Sequence, residues 1–240
     1  MTRYQLTVAS SDRDLARQAA QQAASIIDLA LAQRDRAQIA LCGGQTPRAM
    51  YEQLGQEHLP WNRVDVFLGD ERWVPPEDPA SNARMLRETL LAQPPARQTA
   101  FHPVPTGLSS PEAGAEAYAH TVQSLCHGDP PRFDLMLLGL GDDGHTASLF
   151  PGTPATTVTD RTVTIGEGKG LPRLTLTAPV LSAARKVVFL VSGAGKQEAL
   201  RRLMDPQESS DRTPARLVCP ESEVLILADA AAAGTLTDGR

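Results

Sequence analysis

No stretch of this chain approaches the ~18 consecutive apolar residues that a membrane-spanning helix needs, so a helical membrane protein is not expected. Cysteine is scarce. The three present are odd in number and irregularly spaced, which makes neither a disulfide framework nor a zinc site. The five histidines (His58, His102, His120, His127 and His145) form no metal-ligand spacing with one another or with cysteine, so no metal is expected. Positive charge is not in excess. The net charge is −5 and the pI about 5.5, which argues against a nucleic-acid surface. A cationic pocket for a small anion stays compatible with that balance. The opening Met1-Thr2-Arg3-Tyr4-Gln5-Leu6 has no apolar core of a secretion signal, and a cytoplasmic location is expected. Internal repeats and low-complexity linkers are missing as well.

What is there is enough for a packed core: 41% of the 240 residues are hydrophobic. Short apolar runs alternate with helix-like segments. Tyr4 to Ala9 alternates like a strand, and Ser11 or Asp12 can cap a helix from about Arg13 to Gln33. Strands are read at Gln38–Cys42, Val64–Leu68, Phe133–Leu138, Lys186–Val191 and Glu223–Leu227. Helices are read after Pro47, from Ser81-Asn82 to Leu91, from Pro111 to Leu125, at Pro179–Ala184 and from Gly195 to Met204. A Pro-rich connection, Gln93 to Ser110, carries a short strand near Phe101, and Asp229 can cap a terminal Ala-rich turn. Thr156–Ile165 and Arg173–Thr177, rich in Thr and Val, read as an antiparallel pair. The pattern predicts an α/β fold: a three-layer α/β/α sandwich with a mostly parallel, Rossmann-like sheet. Residues 1–240 are read as one domain, with a small β insert at about 153–178.

Two glycine loops carry the chemistry. Leu137-Leu138-Gly139-Leu140-Gly141-Asp142-Asp143-Gly144-His145 runs from an apolar strand into an acid and a histidine two residues apart, then into a helix-like start. In open α/β sheets ligands bind outside the carboxyl ends of the strands, so Asp143 and His145 form a candidate acid–base pair. A loop Asp capping a helix beside a satisfied His would look the same. Gly43-Gly44-Gln45-Thr46-Pro47 follows the second strand, with Thr46 placed as N-cap and Pro47 as first helical residue. Free N–H groups at such a start suit an anion. The loop lacks the Gly-Lys-Ser/Thr ending of nucleotide-binding P-loops and the third glycine of the dinucleotide fingerprint, so a simple phosphate is expected rather than a nucleotide. A tight turn with no ligand is the alternative.

Taken together, these loops resemble the 6-phosphogluconolactonases. Cys42-Gly43-Gly44-Gln45-Thr46-Pro47 is similar to that family's Ser-Gly-Gly-Ser-Thr-Pro loop, with Cys42 and Gln45 in place of serines. Gly69-Asp70-Glu71-Arg72-Trp73-Val74-Pro75 with Ser81-Asn82 resembles its Asp-Glu-Arg block. Gly139 to Gly152 resembles its signature, and Arg173-Leu174-Thr175-Leu176-Thr177 and Ser192-Gly193-Ala194-Gly195-Lys196 its two C-terminal blocks. The resemblance implies hydrolysis of 6-phosphogluconolactone in the oxidative pentose phosphate pathway, with no cofactor. The implied partner is a small sugar-phosphate lactone, with neither nucleic acid nor membrane, for a monomer or weak oligomer.

On that reading His145 is the general base, taking a proton from the water that attacks C1. Asp143 orients the imidazole or holds a substrate hydroxyl; the residues do not separate these. Gly43, Gly44, Gln45 and Thr46 face the phosphate, with Arg173 and Lys196 as its cationic ligands, far from the carbonyl that His145 serves. Arg72 binds phosphate or stabilises developing charge. Asp70 and Asn82 join the substrate-binding set, against a structural alternative for both. Glu71 is a structural partner or a site acid, and Trp73 a wall. Two other readings stand beside this one. The first is a glucosamine-6-phosphate deaminase/isomerase, whose Asn-Glu-Pro-Gly acid is missing from Ser148-Leu149-Phe150-Pro151-Gly152. The second is a non-catalytic sugar-phosphate sensor, which would not need Asp143 and His145.

Overall fold

The computed structural model describes residues 2–236. The chain opens with β1 (Tyr4–Ala9) and α1 (Asp12–Gln33). Ser11 caps α1 by accepting a hydrogen bond from the Asp14 N–H. Ala16, Ala19, Ala20, Ala23, Ile27 and Ala30 recur every three or four residues and give α1 one buried face. β2 (Ala37–Leu41), α2 (Thr46–Leu54), β3 (Val64–Leu68), β4 (Asp70–Arg72), α3 (Asn82–Glu88), β5 (Ala100–Phe101), α4 (Pro111–Leu125) and β6 (Leu135–Gly139) follow. The last third holds β7 (Val163–Gly168), β8 (Leu171–Leu176), α5 (Ala178–Ala183), β9 (Val187–Val191), α6 (Gln197–Met204), β10 (Val224–Asp229) and α7 (Ala230–Ala233).

Seven strands form a parallel sheet in the order β1-β10-β9-β6-β2-β3-β5, with helices on both faces. Such a sheet is buried on both sides, so its central strands carry apolar side chains without alternation. All five residues of β3 and of β9 are buried. The predicted three-layer α/β/α architecture is therefore the one observed.

A second sheet of three antiparallel strands, β4-β8-β7, rises from the carboxyl edge of the first. The chain crosses between the two at Gly69. Its N–H donates to the Leu41 carbonyl of the large sheet at 3.0 Å, and its own carbonyl accepts from Leu176 of the small one at 2.9 Å. The expected insert is thus corrected in two ways. Its strands are Val163–Gly168 and Leu171–Leu176, since Pro154–Thr157 forms a 3-10 turn. It also takes a third strand from Asp70–Arg72, pairing Asp70 with Thr175, Glu71 with Leu174 and Arg72 with Arg173.

Two local readings fail. No helix follows His145; Thr146 and Leu149 close a tight turn instead. Thr146 Oγ1 donates to the Gly139 carbonyl at 2.8 Å and ties that turn to the end of β6. Thr46 is not the cap of α2 but its first residue, with Gln45 at the cap position and no side-chain capping bond. Pro47 satisfies the helix start by needing no N–H partner.

Candidate active site

The ends of β2, β6 and β9 lie side by side in the sheet, because β6 pairs with both neighbours. Their loops, roofed by the small sheet, enclose a cleft of about 310 Å3. Gly43, Gly44, Gln45, Thr46, Asp70, Arg72, Asn82, His145, Arg173 and Lys196 all line it. Asp143 is outside the lining and reaches it through His145. Trp73 is also outside; it packs on Gly114 of α4, where an added Cβ would lie 2.5 Å from its ring, so it is no wall of the cleft.

His145 is held from two sides. Asp143 Oδ1 lies 2.5 Å from its Nδ1 and accepts its backbone N–H at 3.0 Å. An ionised carboxylate only accepts, so Nδ1 carries the proton and Nε2 presents its lone pair. Among the described residues Nε2 has no protein partner. The Phe150 ring packs on the imidazole with centroids 4.2 Å apart. Gly141 makes the pair possible, because a Cβ there would sit 2.0 Å from Nδ1 and 2.6 Å from Asp143 Oδ1. Burial holds the imidazole below its ordinary pKa, and Lys169 adds to this, against the upward pull of Asp143 and Asp70. Burial alone would raise the Asp143 carboxyl, but the bonds from His145 and the nearby cations hold it below the usual range.

Asp70, Glu71 and Asn82 build the frame. Glu71 is buried and accepts backbone N–H groups of Arg72, Asn82 and Ala83 at 2.7–2.8 Å, so it anchors the start of α3. Burial pushes its carboxyl up against those donors. The Asn82 amide donates to the Asp70 carbonyl at 2.8 Å. Its Oδ1 lies against Gly43, where a Cβ would come within 1.8 Å, so only glycine lets the loop between β2 and α2 pass. Asp70 accepts from the buried Ser148 hydroxyl at 2.5 Å and faces Arg173 at 3.7 Å. Cys42, at the mouth of the loop, is buried and has its thiol pushed up to about 12 by that burial.

The cations divide. Arg173 is buried, donates from Nε to the Gly168 carbonyl at 3.2 Å and stacks over Phe150 at 5.3 Å. It therefore shares a ring with His145 while lining the same cleft as Thr46. Arg72 donates to the Ala80 carbonyl at 2.5 Å, and its buried Nε has no partner among the described residues. Lys196 closes a 3-10 turn, Ala194–Lys196, and stands at the cap position before α6. The turn before it is held by Asp229, which accepts the Ser192 hydroxyl at 2.6 Å and the Gly193 N–H at 3.0 Å.

Sequence reasoning passed over Lys169, Phe150 and Ser148 at the site, and read Asp229 as a helix cap alone. Lys169 lines the cleft from the β7–β8 turn. Its signal was a lysine in a Gly-Lys-Gly turn. Among the described residues no group of three or more His, Cys, Asp or Glu side chains could hold a metal ion.

Residues 10–227 match the family of glucosamine-6-phosphate isomerases/6-phosphogluconolactonase. A 6-phosphogluconolactonase of Synechocystis sp. is 47% identical over 206 residues, covering 85% of this chain and 86% of the relative. The structure of 6-phosphogluconolactonase from Trypanosoma brucei superposes with a TM-score of 0.87 at 31% identity, over 99% of this chain and 100% of that one. A monomeric glucosamine-6-phosphate deaminase superposes with a TM-score of 0.81 at 22% identity, over 95% and 98% of the two chains, a likeness of fold alone.

Proposed function

The chain belongs to the family of glucosamine-6-phosphate isomerases and 6-phosphogluconolactonases, and we propose that its cleft performs the lactonase reaction through a His145–Asp143 pair. The protein hydrolyses 6-phospho-D-glucono-1,5-lactone to 6-phospho-D-gluconate, a step of the oxidative pentose phosphate pathway. The observation that carries the residue assignment is the imidazole held by Asp143 with Nε2 unengaged in the cleft wall. Nε2 takes a proton from water as its oxygen attacks C1. A lactone is an activated ester, so water suffices as nucleophile, and the protonated, buried Cys42 thiol is not called upon.

We assign the phosphate to Gly43, Gly44, Gln45 and Thr46 with Lys196. The backbone N–H groups at the start of α2 and an ammonium form an anion seat. Arg72 lines the same cleft and is assigned as a further ligand of that phosphate. Asn82 and Asp70 act as frame, and Arg173 belongs to the His145 end through Phe150. The deaminase reading loses support at Phe150. The residue before Pro151-Gly152, where that family has its extra carboxylate, is here a ring packed on the histidine.

Residues 1–240 are proposed as one domain, a monomer or weak oligomer in the cytoplasm. Leu29 and Leu108 are the only large apolar side chains exposed among the described residues, which suits weak association. Cys42, Cys126 and Cys219 are free, which suits a reducing compartment. The test is lactone disappearance with freshly generated 6-phosphogluconolactone, spontaneous opening subtracted. Acceleration proportional to enzyme is expected. Tight sugar-phosphate binding without acceleration would make the protein a sensor.

A further inference from the structure

We propose that Lys169 is a catalytic cation at the lactone end of the cleft, its ammonium set against the carbonyl oxygen of the bound lactone, where negative charge develops. The inference rests on the lactonase reading above and adds a residue to it.

Local geometry is the first observation. Lys169 and Gly170 are the whole turn between β7 and β8, with Gly168 paired to Leu171 on either side. Their φ angles are 54° and 78°. Two-residue hairpin turns with positive φ at both positions favour Asn-Gly or Gly-Gly, because a long side chain at the first position is strained. A lysine here breaks the local rule. Such breaks mark functional positions when something else in the structure engages them.

Placement is the second observation. Lys169 lines the cleft, and its Nζ lies 3.7 Å from Asp142 Oδ1, in the loop that carries Asp143 and His145. The turn is seated against the histidine: a Cβ on Gly168 would lie 2.3 Å from the Phe150 ring, whose centroid is 4.2 Å from that of His145. The Gly168 carbonyl is fastened by Arg173 Nε at 3.2 Å. The charged groups around His145 are then Asp143 and Asp142 on its own loop, Lys169 on the β7–β8 turn, and Asp70 with Arg173 on the facing strands β4 and β8. Arg72 and Lys196 line the same cleft, Arg72 paired across the small sheet with Arg173 and Lys196 near enough to Asp142 to help hold its carboxyl below the usual range. Arg173 is committed to Gly168 and Asp70, and Arg72 to the Ala80 carbonyl. Lys169, by contrast, has among the described residues a long, exposed pairing with Asp142, which leaves its ammonium free to meet a substrate oxygen.

The step balances without a proton from Lys169. Water oxygen bonds to C1 as His145 Nε2 takes one water proton, and the carbonyl π electrons move onto oxygen. Lys169 sits beside that oxyanion. Collapse restores the carbonyl and breaks the bond from C1 to the ring oxygen, which receives the proton from the imidazolium. The acid then ionises to bulk water, leaving a carboxylate beside the same ammonium.

Lys169→Asn and Lys169→Gly both suit the turn, so both should keep or raise Tm. Losing one oxyanion contact typically costs ~10²–10³ in kcat, and for this solvent-exposed cation a fall of roughly ten- to a hundredfold is expected. KM should change by less than ~3-fold, since the interaction forms in the transition state. Lys169→Arg should keep more activity than either. The acid limb of kcat/KM should move to higher pH in the neutral variants, because a cation that disfavours imidazolium is gone. Normal kcat in Lys169→Asn and Lys169→Gly would overturn the proposal, as would a kcat loss accompanied by a lower Tm in both. Failure of the wild type to accelerate lactone opening sinks the lactonase reading instead.

Discussion

His145 and Asp143 lie two positions apart, and the backbone between them turns so that one carboxylate oxygen serves both the backbone and the ring of the histidine. The consequence is an imidazole fixed in one tautomer, ready for the proposed role of base. It must be neutral to act, and burial holds its pKa below the ordinary value of about 6.5. As pH falls, kcat/KM should therefore hold through ~6.5 and drop only on an acid limb below it, read from a pH–rate profile. Asp143→Asn removes a bond and a charge that favour imidazolium, so the limb should move lower still while the plateau falls. His145→Ala should cost ~10²–10⁴ in kcat while a substrate analogue still binds; near-normal kcat would remove His145 from the mechanism. Cys42 tests the rival nucleophile. With its thiol at about 12 and packed beside Tyr51, it should resist alkylation at pH 8, and Cys42→Ser should stay active. Complete inactivation of Cys42→Ser would reopen a covalent route.

At the scale of elements, the parallel strands were legible because burial on both faces writes them as unbroken apolar runs. Helices were legible from their starts: Ser11 for α1, Ser81 for α3 and Asp229 for α7 each accept a backbone N–H, while α4 was marked by Pro111 and its cap, Ser110, went unread. What stayed hidden depended on distant partners. Asp70–Arg72 becomes a strand only because Arg173–Thr175 lies opposite it, and three residues carry no periodicity of their own. The stretch after His145 has helix-like residues, yet Ala147 takes φ of 48° and the chain turns instead. The site residues were found as types at strand ends, while the pairing of Arg173 with the histidine end needed Phe150 between them. Asp229 was legible as a helix cap but not in its second task, accepting the Ser192 hydroxyl and the Gly193 N–H while also capping through Ala232 at 2.6 Å. Asp229→Ala should lower Tm by a few degrees, about what a lost cap of ~1 kcal/mol gives in a chain of this size. Because the same carboxylate sets the turn that carries Lys196, KM for the phosphorylated lactone should rise more than kcat falls. An unchanged KM would confine Asp229 to the helix.

On the proposed assignment, the whole molecule places its two tasks on different loops of one edge. β6, carrying the histidine loop, lies between β9, whose loop ends in Lys196, and β2, whose loop starts α2. Phosphate binding and lactone opening are then separable by substrate. Removing a charge-assisted hydrogen bond costs ~1.5–3 kcal/mol, so Lys196→Ala should raise KM for the phosphorylated lactone by roughly ten- to a hundredfold. The effect on kcat should be smaller, by as much as phosphate binding alone does not position the ring. Unphosphorylated gluconolactone offers Lys196 nothing to hold. It should be a poor substrate of the wild type and barely notice the substitution. Lys169 variants should behave in the opposite way, slowing both lactones, because both develop charge at the same carbonyl. A Lys196→Ala protein that lost both lactones equally would place that lysine with the histidine, and the division of the cleft into a phosphate end and a lactone end would have to be redrawn.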